Sequence, residues 1–390
     1  MHVVIAPDSF TGTLTAAQAA EAIAAGWRQT APHDLVTLLP LSDGGPGFLD
    51  VLSWALPADQ VETVMLTVAD PLGREVPAAI LVRTDGGRRT AYVESAQAAG
   101  LHLLGADERN PGVTSTYGVG QLLRAALAER ADRIVVGLGG SGTNDAGAGM
   151  LAALGAGSTE DLARGGLALG EVSDDALSGL PAVRERLAGT EIVLATDVDT
   201  PLLGLQGASA ADSPQKGASP ELAQDLEKAL GRFAEVARRT LPQGADLLTG
   251  DIRRLDREPG AGAAGGLGYG LLLLGGHRVS GVGEVLKTVG LRGLVAAADL
   301  VVTGEGCFDW QSLHGTVVVG VAEVALETAT PTVLIAGQVT VGRREAMALG
   351  LSGTYAVADG AAEVQAAHAD PVGTLTARAA RVAATWSPSR

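Results

Sequence analysis

Short apolar runs rich in Val and Ile recur along the chain. Each is followed by a turn containing Gly or Asp and then by an Ala-rich segment with helical spacing. This alternation predicts strand–helix pairs around a mainly parallel sheet. In the first pair we expect a strand at 3–6, a loop at 7–14 and a helix at 15–29, with Thr15 as N-cap and Gln18 completing a capping box. The same pattern predicts strands at 36–40, 134–138, 191–196, 300–303, 332–336 and 353–357.

A different pattern occupies 63–80 and 89–94. Polar and apolar residues alternate there around a Pro-Leu-Gly-Arg turn, which predicts an antiparallel hairpin. The stretches at 207–220 and 241–268 favour irregular structure, and a helix is predicted at 269–274. A mixed, partly antiparallel region therefore lies between more regular α/β segments.

Composition narrows the class of protein. The 390 residues include 28 basic and 44 acidic side chains, a formal net charge of −16, and 46% are hydrophobic. Such a chain folds, and its length predicts two or three domains. The acidic balance disfavours nucleic acids and anionic membranes as partners. We expect a cytoplasmic protein, because no signal peptide or membrane span is recognisable and the one cysteine, Cys307, cannot form an internal disulfide.

Acidic residues repeatedly follow the predicted parallel strands: Asp8, Asp43, Asp145, Asp197 and Glu305. Ligands of open α/β sheets bind at this carboxyl edge. A cluster of carboxylates there, beside glycine amides, suits Mg²⁺ and a phosphorylated ligand. The alternative for each acid is that it caps the helix that follows, and the sequence leaves both interpretations open.

Two glycine-rich loops are candidates for phosphate binding. The segment at 137–149 follows a strand and opens an Ala-rich helix, so its amides can attract anions. The segment at 259–268 fits G-x-G-x-x-G at Gly260, Gly262 and Gly265, but no apolar strand precedes it, so the dinucleotide-binding context fails. Tight helix–strand packing is the alternative for both loops.

Few cations are available to neutralise phosphate. The chain has three lysines, of which Lys228 reads as a surface charge, Lys287 is not placed by the pattern, and Lys216 lies in an irregular glycine-containing segment. Lys216 is therefore the candidate phosphate ligand, with a plain surface loop as the alternative. His314 follows Glu305 and Asp309 and is a candidate for the same site or an ordinary loop residue; the histidine spacing does not fit a zinc site.

Six blocks of the chain resemble, in order, those of the bacterial type 1 glycerate kinases: DSFTGTLTAAQAAEAI, GLGGSGTNDAGAGM, DVDTPLLGLQGAS, PQKGAS, PGAGAAGGLG and TGEGCFDWQSLHG. The resemblance implies a kinase that phosphorylates glycerate with ATP and Mg²⁺. It also implies a Rossmann- or flavodoxin-like parallel-sheet domain at 1–65 and 285–390, an inserted mixed α/β domain at 66–284, and an active site in the cleft between them.

The chain departs from the family pattern at several motif positions. Thr11, Cys307 and Thr316 stand where the family has basic residues, Pro46 replaces a glutamate, and Thr200 replaces an asparagine. Lost cations weaken the binding of phosphate and carboxylate groups. The departures therefore favour a changed hydroxylated substrate or weak activity, unless arginines elsewhere compensate; the candidates are Arg74, Arg278 and Arg292.

The leading hypothesis is an ATP-dependent glycerate kinase that takes a small-molecule substrate, with a homodimer as the candidate assembly. The alternatives are a divergent member acting on another hydroxy acid or polyol, a non-catalytic ligand-binding homologue and, more remotely, a nicotinamide-dependent oxidoreductase. Which hydroxyl is phosphorylated stays open. The predicted roles are catalysis for Asp197, Asp43 and Lys216; substrate or phosphate binding for Asp8, Ser9, Gly139, Gly140, Ser141, Thr143, Asn144, Gly262, Gly265 and His314; and metal binding for Asp145, Glu305 and Asp309.

Overall fold

The computed structural model of the chain describes residues 1–10, 12–242, 244, 250 and 253–387. Thr11 lies outside the described residues. The chain divides into two compact units. The first unit comprises Met1–Asp43, Asp50–Leu56 and Val282–Arg390, and the second comprises Gly44–Leu49 and Pro57–Gly281.

The described residues form eleven strands. They are β1 (His2–Ile5), β2 (Leu35–Leu38), β3 (Val61–Ala69), β4 (Glu75–Asp85), β5 (Arg88–Glu94), β6 (Arg133–Gly137), β7 (Glu191–Ala195), β8 (His277–Val279), β9 (Leu300–Phe308), β10 (Thr332–Val339) and β11 (Leu351–Ala356).

The helices of the described residues are α1 (Ala16–Thr30), α2 (Phe48–Ala55), α3 (Ala96–Ala99), α4 (Tyr117–Ala128), α5 (Ala148–Ala153), α6 (Thr159–Leu162), α7 (Leu180–Arg186), α8 (Ala208–Ala211), α9 (Pro220–Thr240), α10 (Ala263–Leu273), α11 (Gly281–Thr288), α12 (Leu291–Ala296), α13 (Val317–Glu327), α14 (Arg343–Ala348), α15 (Ala361–Ala369) and α16 (Pro371–Trp386). Short 3₁₀ turns lie at Leu101–Leu103, Leu167–Glu171, Pro214–Lys216, Leu255–Arg257 and Gln311–Leu313. No helix in the described part of the chain is both long and apolar enough to span a bilayer.

The first unit is built on a parallel sheet with the strand order β11-β10-β9-β1-β2. Both faces of this sheet are covered, as a parallel sheet requires. On β10, Val333 and Ile335 pack with residues of α1 and α16, while Leu334 and Ala336 pack with α13. Helices α1 and α16 approach closely at Gly26, where a Cβ would lie 2.1 Å from the carbonyl oxygen of Thr376.

The second unit has a mixed sheet with the order β3-β4-β5-β6-β7-β8. Strands β3, β4 and β5 pair antiparallel, and β5 to β8 pair parallel. Asp70 closes the β3–β4 turn by accepting hydrogen bonds from the amides of Leu72 and Arg74, both at 2.8 Å, and from Nε of Arg74 at 2.6 Å. The predicted hairpin therefore exists, and its turn is held by one buried carboxylate.

The predicted fold class is confirmed: a Rossmann- or flavodoxin-like parallel sheet occurs with a second, mixed α/β sheet. The capping box is also present, because Thr15 Oγ1 accepts from the amide of Gln18 at 3.2 Å and Gln18 Oε1 accepts from the amide of Thr15 at 2.9 Å. The sequence-based domain bounds, 1–65 with 285–390 and 66–284, stay a prediction.

Strands β8, β9 and β10 and helix α10 differ from the sequence-based expectation. Strand β9 extends to Phe308 and β10 to Val339, because the two continue to pair beyond the predicted ends at 303 and 336. The short strand β8 is absent from the sequence-based expectation; among the described strands it pairs with β7. Helix α10 begins at Ala263 rather than at 269, and residues 264–266 in its first turn adopt left-handed backbone angles.

Candidate active site

The first unit has a topological switch point at the carboxyl edge of its sheet. The chain leaves β1 toward β2 on one side, and it leaves β9 toward β10 on the other. Such a divergence opens a crevice between the two strands, where open α/β sheets bind ligands. Asp8 lies just after β1 and Glu305 lies on β9. The amide of Asp8 donates to the carbonyl oxygen of Gly304 at 2.8 Å, which keeps the two segments together.

The two carboxyl groups at this edge resist ionisation. Burial raises the pKa of Asp8 to about 7, helped by the negative charge of Asp43, although a hydrogen bond from the amide of Ser9 (2.6 Å) opposes the shift. Burial likewise raises the pKa of Glu305 to about 7, with contributions from Asp8 and Asp309. Oε1 of Glu305 is buried and makes no hydrogen bond with the described residues. Among the described residues no cation lowers either pKa, so this edge suits a cation or a hydrogen-bond donor.

The segment after β9 holds Asp309 in a turn. Its Oδ1 accepts from the amides of Gln311 at 2.8 Å and Ser312 at 3.3 Å. His314 follows this turn and is exposed. Thr316, one of the departures from the family pattern, donates to the carbonyl oxygen of Ser312 at 2.9 Å and so stabilises the start of α13.

In the second unit, Lys216 secures the glycine loop that follows β6. Its side chain is 2% exposed, and Nζ donates to Ser141 Oγ and to the carbonyl oxygen of Thr143, both at 2.9 Å. Burial lowers the pKa of Lys216 to about 8, while Asp212 and Asp145 favour the charged form. The surface-loop alternative for Lys216 is therefore wrong. The buried amine links two loops through these hydrogen bonds.

The same loop carries polar atoms without partners. Asn144 Nδ2 donates to Ser209 Oγ at 3.1 Å, but Asn144 Oδ1 and Thr143 Oγ1 are buried and make no hydrogen bond with the described residues. Unpaired buried polar atoms are uncommon and call for a ligand or water. These two atoms are the second unit's clearest sign of a binding function.

Asp145 has its oxygen atoms occupied. The carboxylate is fully buried and accepts from the amide and hydroxyl of Thr116 at 2.8 and 2.9 Å, and from the amides of Gly147 at 3.1 Å and Gly149 at 3.2 Å. Three of these bonds go to Oδ2 and one to Oδ1, and together they anchor the start of α5. The arrangement favours the capping alternative, and it lends no support to the predicted metal role of Asp145.

The predicted glycines mostly permit close packing. A Cβ at Gly139 would lie 2.6 Å from Cα of Gly45, one at Gly262 would lie 2.3 Å from the carbonyl oxygen of Pro201, and one at Gly265 would lie 1.9 Å from that of Thr143. Gly140 and Gly265 also have positive φ, at +62° and +68°. Backbone packing therefore accounts for these glycines without a bound phosphate.

Of the three arginines considered as compensating cations, one lies at a strand end that carries predicted site residues. Arg278 on β8 donates from Nε to the carbonyl oxygen of Thr196 at 3.1 Å and pairs with Asp199 at 2.8 Å, directly beside the segment that contains Asp197. The other two are engaged in ion pairs: Arg74 binds Glu108 and the buried Asp70, and Arg292 binds Glu327.

The predicted site residues thus form two groups, one in each unit. The first unit holds Asp8, Ser9, Asp43, Glu305, Asp309 and His314, and the second holds Gly139, Gly140, Ser141, Thr143, Asn144, Asp145, Asp197, Lys216, Gly262 and Gly265. No three His, Cys, Asp or Glu side chains among the described residues are arranged to hold a metal by themselves.

The sequence analysis does not identify the residues that hydrogen-bond to the predicted site residues or line the cavity beside them. Thr116 and Ser209 are ordinary polar residues far along the chain from the loop they bond. Gln338 lies beyond the strand predicted at 332–336, and Ala367 of α15 carries no chemical signal, yet both residues line a cavity beside Asp8.

The sequence profile of the Glycerate kinase family matches residues 3–387. The chain belongs to the glycerate kinase family. It is 40% identical to a glycerate kinase of Bacillus subtilis (strain 168) over 385 residues, which are 97% of this chain and 96% of that protein. It is 39% identical to a glycerate 2-kinase of Escherichia coli (strain K12) over 345 residues, 87% of this chain and 86% of the relative.

A solved structure supports the same membership. The crystal structure described as that of a glycerate kinase 2 from Salmonella typhimurium LT2 superposes with a TM-score of 0.74 at 35% identity, covering 99% of this chain and 98% of the other. The family match therefore extends to the fold over nearly the whole chain.

Proposed function

We propose that this protein is an ATP-dependent glycerate kinase, which converts glycerate to phosphoglycerate. The observation that carries the proposal is the family match over residues 3–387. The carboxyl groups of Asp8 and Glu305, at the ligand-binding edge of a doubly wound sheet, support it.

Phosphoryl transfer depends mainly on positioning and on stabilising negative charge. A hydroxyl oxygen of glycerate attacks the γ-phosphorus of ATP, the new O–P bond forms as the bond to the β-phosphate oxygen breaks, and ADP leaves. The hydroxyl proton passes to a carboxylate. We assign that base to Asp197 or Asp43, both of which follow a strand end.

We assign the remaining predicted residues to binding. In the second unit, the loop containing Ser141, Thr143 and Asn144 would contact phosphate or glycerate, and the unpaired atoms of Thr143 and Asn144 support this role. A direct phosphate contact by Lys216 stays a prediction; its two hydrogen bonds support a positioning role for that loop. In the first unit, Ser9 and His314 stay predicted phosphate or substrate ligands.

Mg²⁺ fits the first-unit carboxylates. Magnesium is usually held by one or two carboxylates together with substrate phosphates and water, so a complete protein cage is not required. Glu305 offers a buried oxygen that makes no hydrogen bond within the described part of the chain, and Asp8 adds a second hard donor. We propose that Asp8 and Glu305 would hold the ion, with Asp309 nearby in the chain. When bound, Mg²⁺ would neutralise charge on the phosphates of ATP.

Three further expectations belong to the same proposal. The use of ATP favours a cytoplasmic location. A homodimer is the candidate assembly. The domain bounds are proposed at 1–65 with 285–390 and at 66–284.

The direct test is a coupled assay of ADP release with ATP, Mg²⁺ and D-glycerate, with ³¹P NMR to identify the phosphorylated hydroxyl. We expect turnover that requires glycerate. Asp197→Ala or Asp43→Ala, whichever removes the base, should reduce kcat by about 10²–10⁴-fold. Asp225→Ala, which removes an exposed carboxylate of α9, is the matched control and should keep full activity.

The failure of this assay would be informative. Nucleotide binding by calorimetry without glycerate turnover would overturn the choice of substrate. A panel of other hydroxy acids and uncharged polyols would then test the divergent-member alternative. Loss of activity in Asp225→Ala as well would contradict the assignment of the base.

A further inference from the structure

A cavity of about 310 Å³ opens beside Asp8 in the first unit. Its floor is the carboxyl edge of β9, β10 and β11. One wall is the β1–α1 loop, and the other is formed by α15 and α16. The volume lies at the lower end of the range for small-molecule sites, and the position next to the switch point is where such sites occur.

The walls of the cavity are largely apolar. Phe10, Leu14, Ala358 and Leu375 line it and are 1–6% exposed, so they form a well-packed surface rather than a loose groove. Phe10 and Leu14 are fixed relative to each other, since their amides donate to each other's carbonyl oxygens at 2.9 and 3.0 Å. These walls suit a flat, apolar-faced ring.

The charges around the cavity exclude an anion from its interior. The described lining residues include no Lys or Arg, and the charged groups among them are Asp8 and Glu305 at one end. A polyphosphate inside the cavity would meet two carboxyl groups and no cation. The occupant of the interior must therefore be uncharged, while charged groups of the same ligand stay at the end with the acids, where a metal ion can bridge them.

The polar groups that remain match the edge of adenine. Gln338 and His368 line the cavity, and their side chains make no hydrogen bond with the described residues. An amide side chain offers a donor and an acceptor side by side, which pairs with N7 and the N6 amino group of adenine. Guanine presents two acceptors at the same positions and would call for Arg or Lys, which the lining lacks.

We propose that this cavity is the binding site for the adenosine part of ATP, with the base between the β1–α1 loop and helices α15–α16 and its polar edge at Gln338. The ribose and phosphates extend toward Asp8 and Glu305. The proposal rests on the proposed kinase function, because that function requires ATP.

Cys307 provides a direct reporter. It lines the cavity, is exposed, and is the one cysteine in the sequence, so a thiol reagent labels a single position. We would measure the rate of carbamidomethylation of the wild-type protein at alkaline pH, since burial and the charges of Asp309 and Glu305 raise the pKa of this thiol. Adenosine and ATP should slow labelling, GTP should slow it less, and tripolyphosphate and glycerate should have little effect.

A substitution that fills the cavity tests the same site through affinity. Ala367 lies on α15 and lines the cavity, whereas its neighbour Ala366 is exposed and does not. Ala367→Trp should raise both the KM for ATP and the dissociation constant of a fluorescent ATP analogue by about tenfold or more, with the KM for glycerate unchanged. Ala366→Trp, the matched control, should bind the nucleotide as the wild type does.

The outcomes separate the site from the function. Protection of Cys307 by tripolyphosphate but not by adenosine would overturn the site, as would unchanged nucleotide affinity in Ala367→Trp. Equal protection by GTP and ATP would overturn the assignment of Gln338 as the group that reads adenine. Protection by adenosine in a protein that does not phosphorylate glycerate would support the nucleotide site and reject the substrate. Glycerate turnover without protection by any nucleoside would reject the nucleotide site and support the substrate.

Discussion

The buried amine of Lys216 makes the stability of the second unit depend on pH in the alkaline range. An ammonium group at this position has lost its hydration and has two neutral hydrogen-bond acceptors in exchange, Ser141 Oγ and the carbonyl oxygen of Thr143. Replacing it by Met keeps a long apolar side chain but removes the titrating group. The comparison of wild type with Lys216→Met therefore isolates the contribution of one proton.

The sign and size follow from proton linkage. The pKa of Lys216 falls from an ordinary value of 10.5 to about 8 in the fold. Between these values the unfolded chain keeps the proton and the native protein has released it, so the free energy of unfolding rises with pH. At about 1.36 kcal/mol per pKa unit, the total rise is about 3 kcal/mol. It should be absent below about pH 8 and complete near pH 10.5.

Urea titrations of both proteins across this pH range would measure the effect. Hydrogen exchange in peptides from β6 and β7 would follow the second unit by itself. We expect the stability of wild type relative to Lys216→Met to increase by about 3 kcal/mol from neutral to alkaline pH. Lys228→Met is the control, because Lys228 is 76% exposed and the same chemical change there should leave the slope as in wild type. Parallel pH profiles for wild type and Lys216→Met would refute the reasoning.

Three further predictions concern single residues. Asp8 has a pKa of about 7 in the fold and 3.8 ordinarily, so the native protein binds more protons than the unfolded chain between these pH values, and the free energy of unfolding falls as pH rises. The Asp8→Asn variant should therefore be more stable than wild type above pH 7, by up to about 4 kcal/mol in urea titrations, and it should lose activity. Asp145→Ala leaves four buried donors without an acceptor and should lower the free energy of unfolding by about 3–5 kcal/mol, measured by the same titration. Gly265→Ala places a Cβ 1.9 Å from the carbonyl oxygen of Thr143 at a positive φ and should cost at least about 2 kcal/mol, seen as a lower melting temperature.

Matched measurements make these predictions decisive. For glycine, the control is Gly231→Ala in α9, where nothing lies within 4 Å of the added Cβ; it should stabilise the protein by about 0.5–1 kcal/mol. Equal effects of the two glycine substitutions would contradict the packing argument. For Asp8→Asn, an unfolding free energy that keeps the pH dependence of wild type between about pH 4 and pH 7 would show that another group causes it.

Local patterns in the sequence were sufficient to predict most strands and helices. The alternation of short Val- and Ile-rich runs with Ala-rich segments predicts the strands and helices of a doubly wound sheet, and the capping box at Thr15 and Gln18 occurs as expected. These features depend on neighbours within a few residues. The position of Asp8 after β1 and of Asp197 after β7 could be predicted for the same reason, whereas Glu305 lies within β9.

What those acids do was decided by tertiary structure. Asp8 and Glu305 come together because β1 pairs with β9, nearly 300 residues away in the chain, and their shared burial raises both pKa values to about 7. Asp145 also follows a strand in the chain, yet its carboxylate is held by donors from Thr116 and two glycine amides. Identical sequence signals thus have different roles.

Lys216 and the cavity beside Asp8 also depend on tertiary contacts that the local sequence does not indicate. Nothing in the segment around Lys216 indicates that its amine is buried against a loop about 75 residues earlier. The cavity likewise draws its lining from separate stretches of chain, and its apolar lining residues look like ordinary core in sequence. The sequence determines which groups exist and the local structure that carries them. Their burial, partners and charge depend on distant segments, and those decide the chemistry.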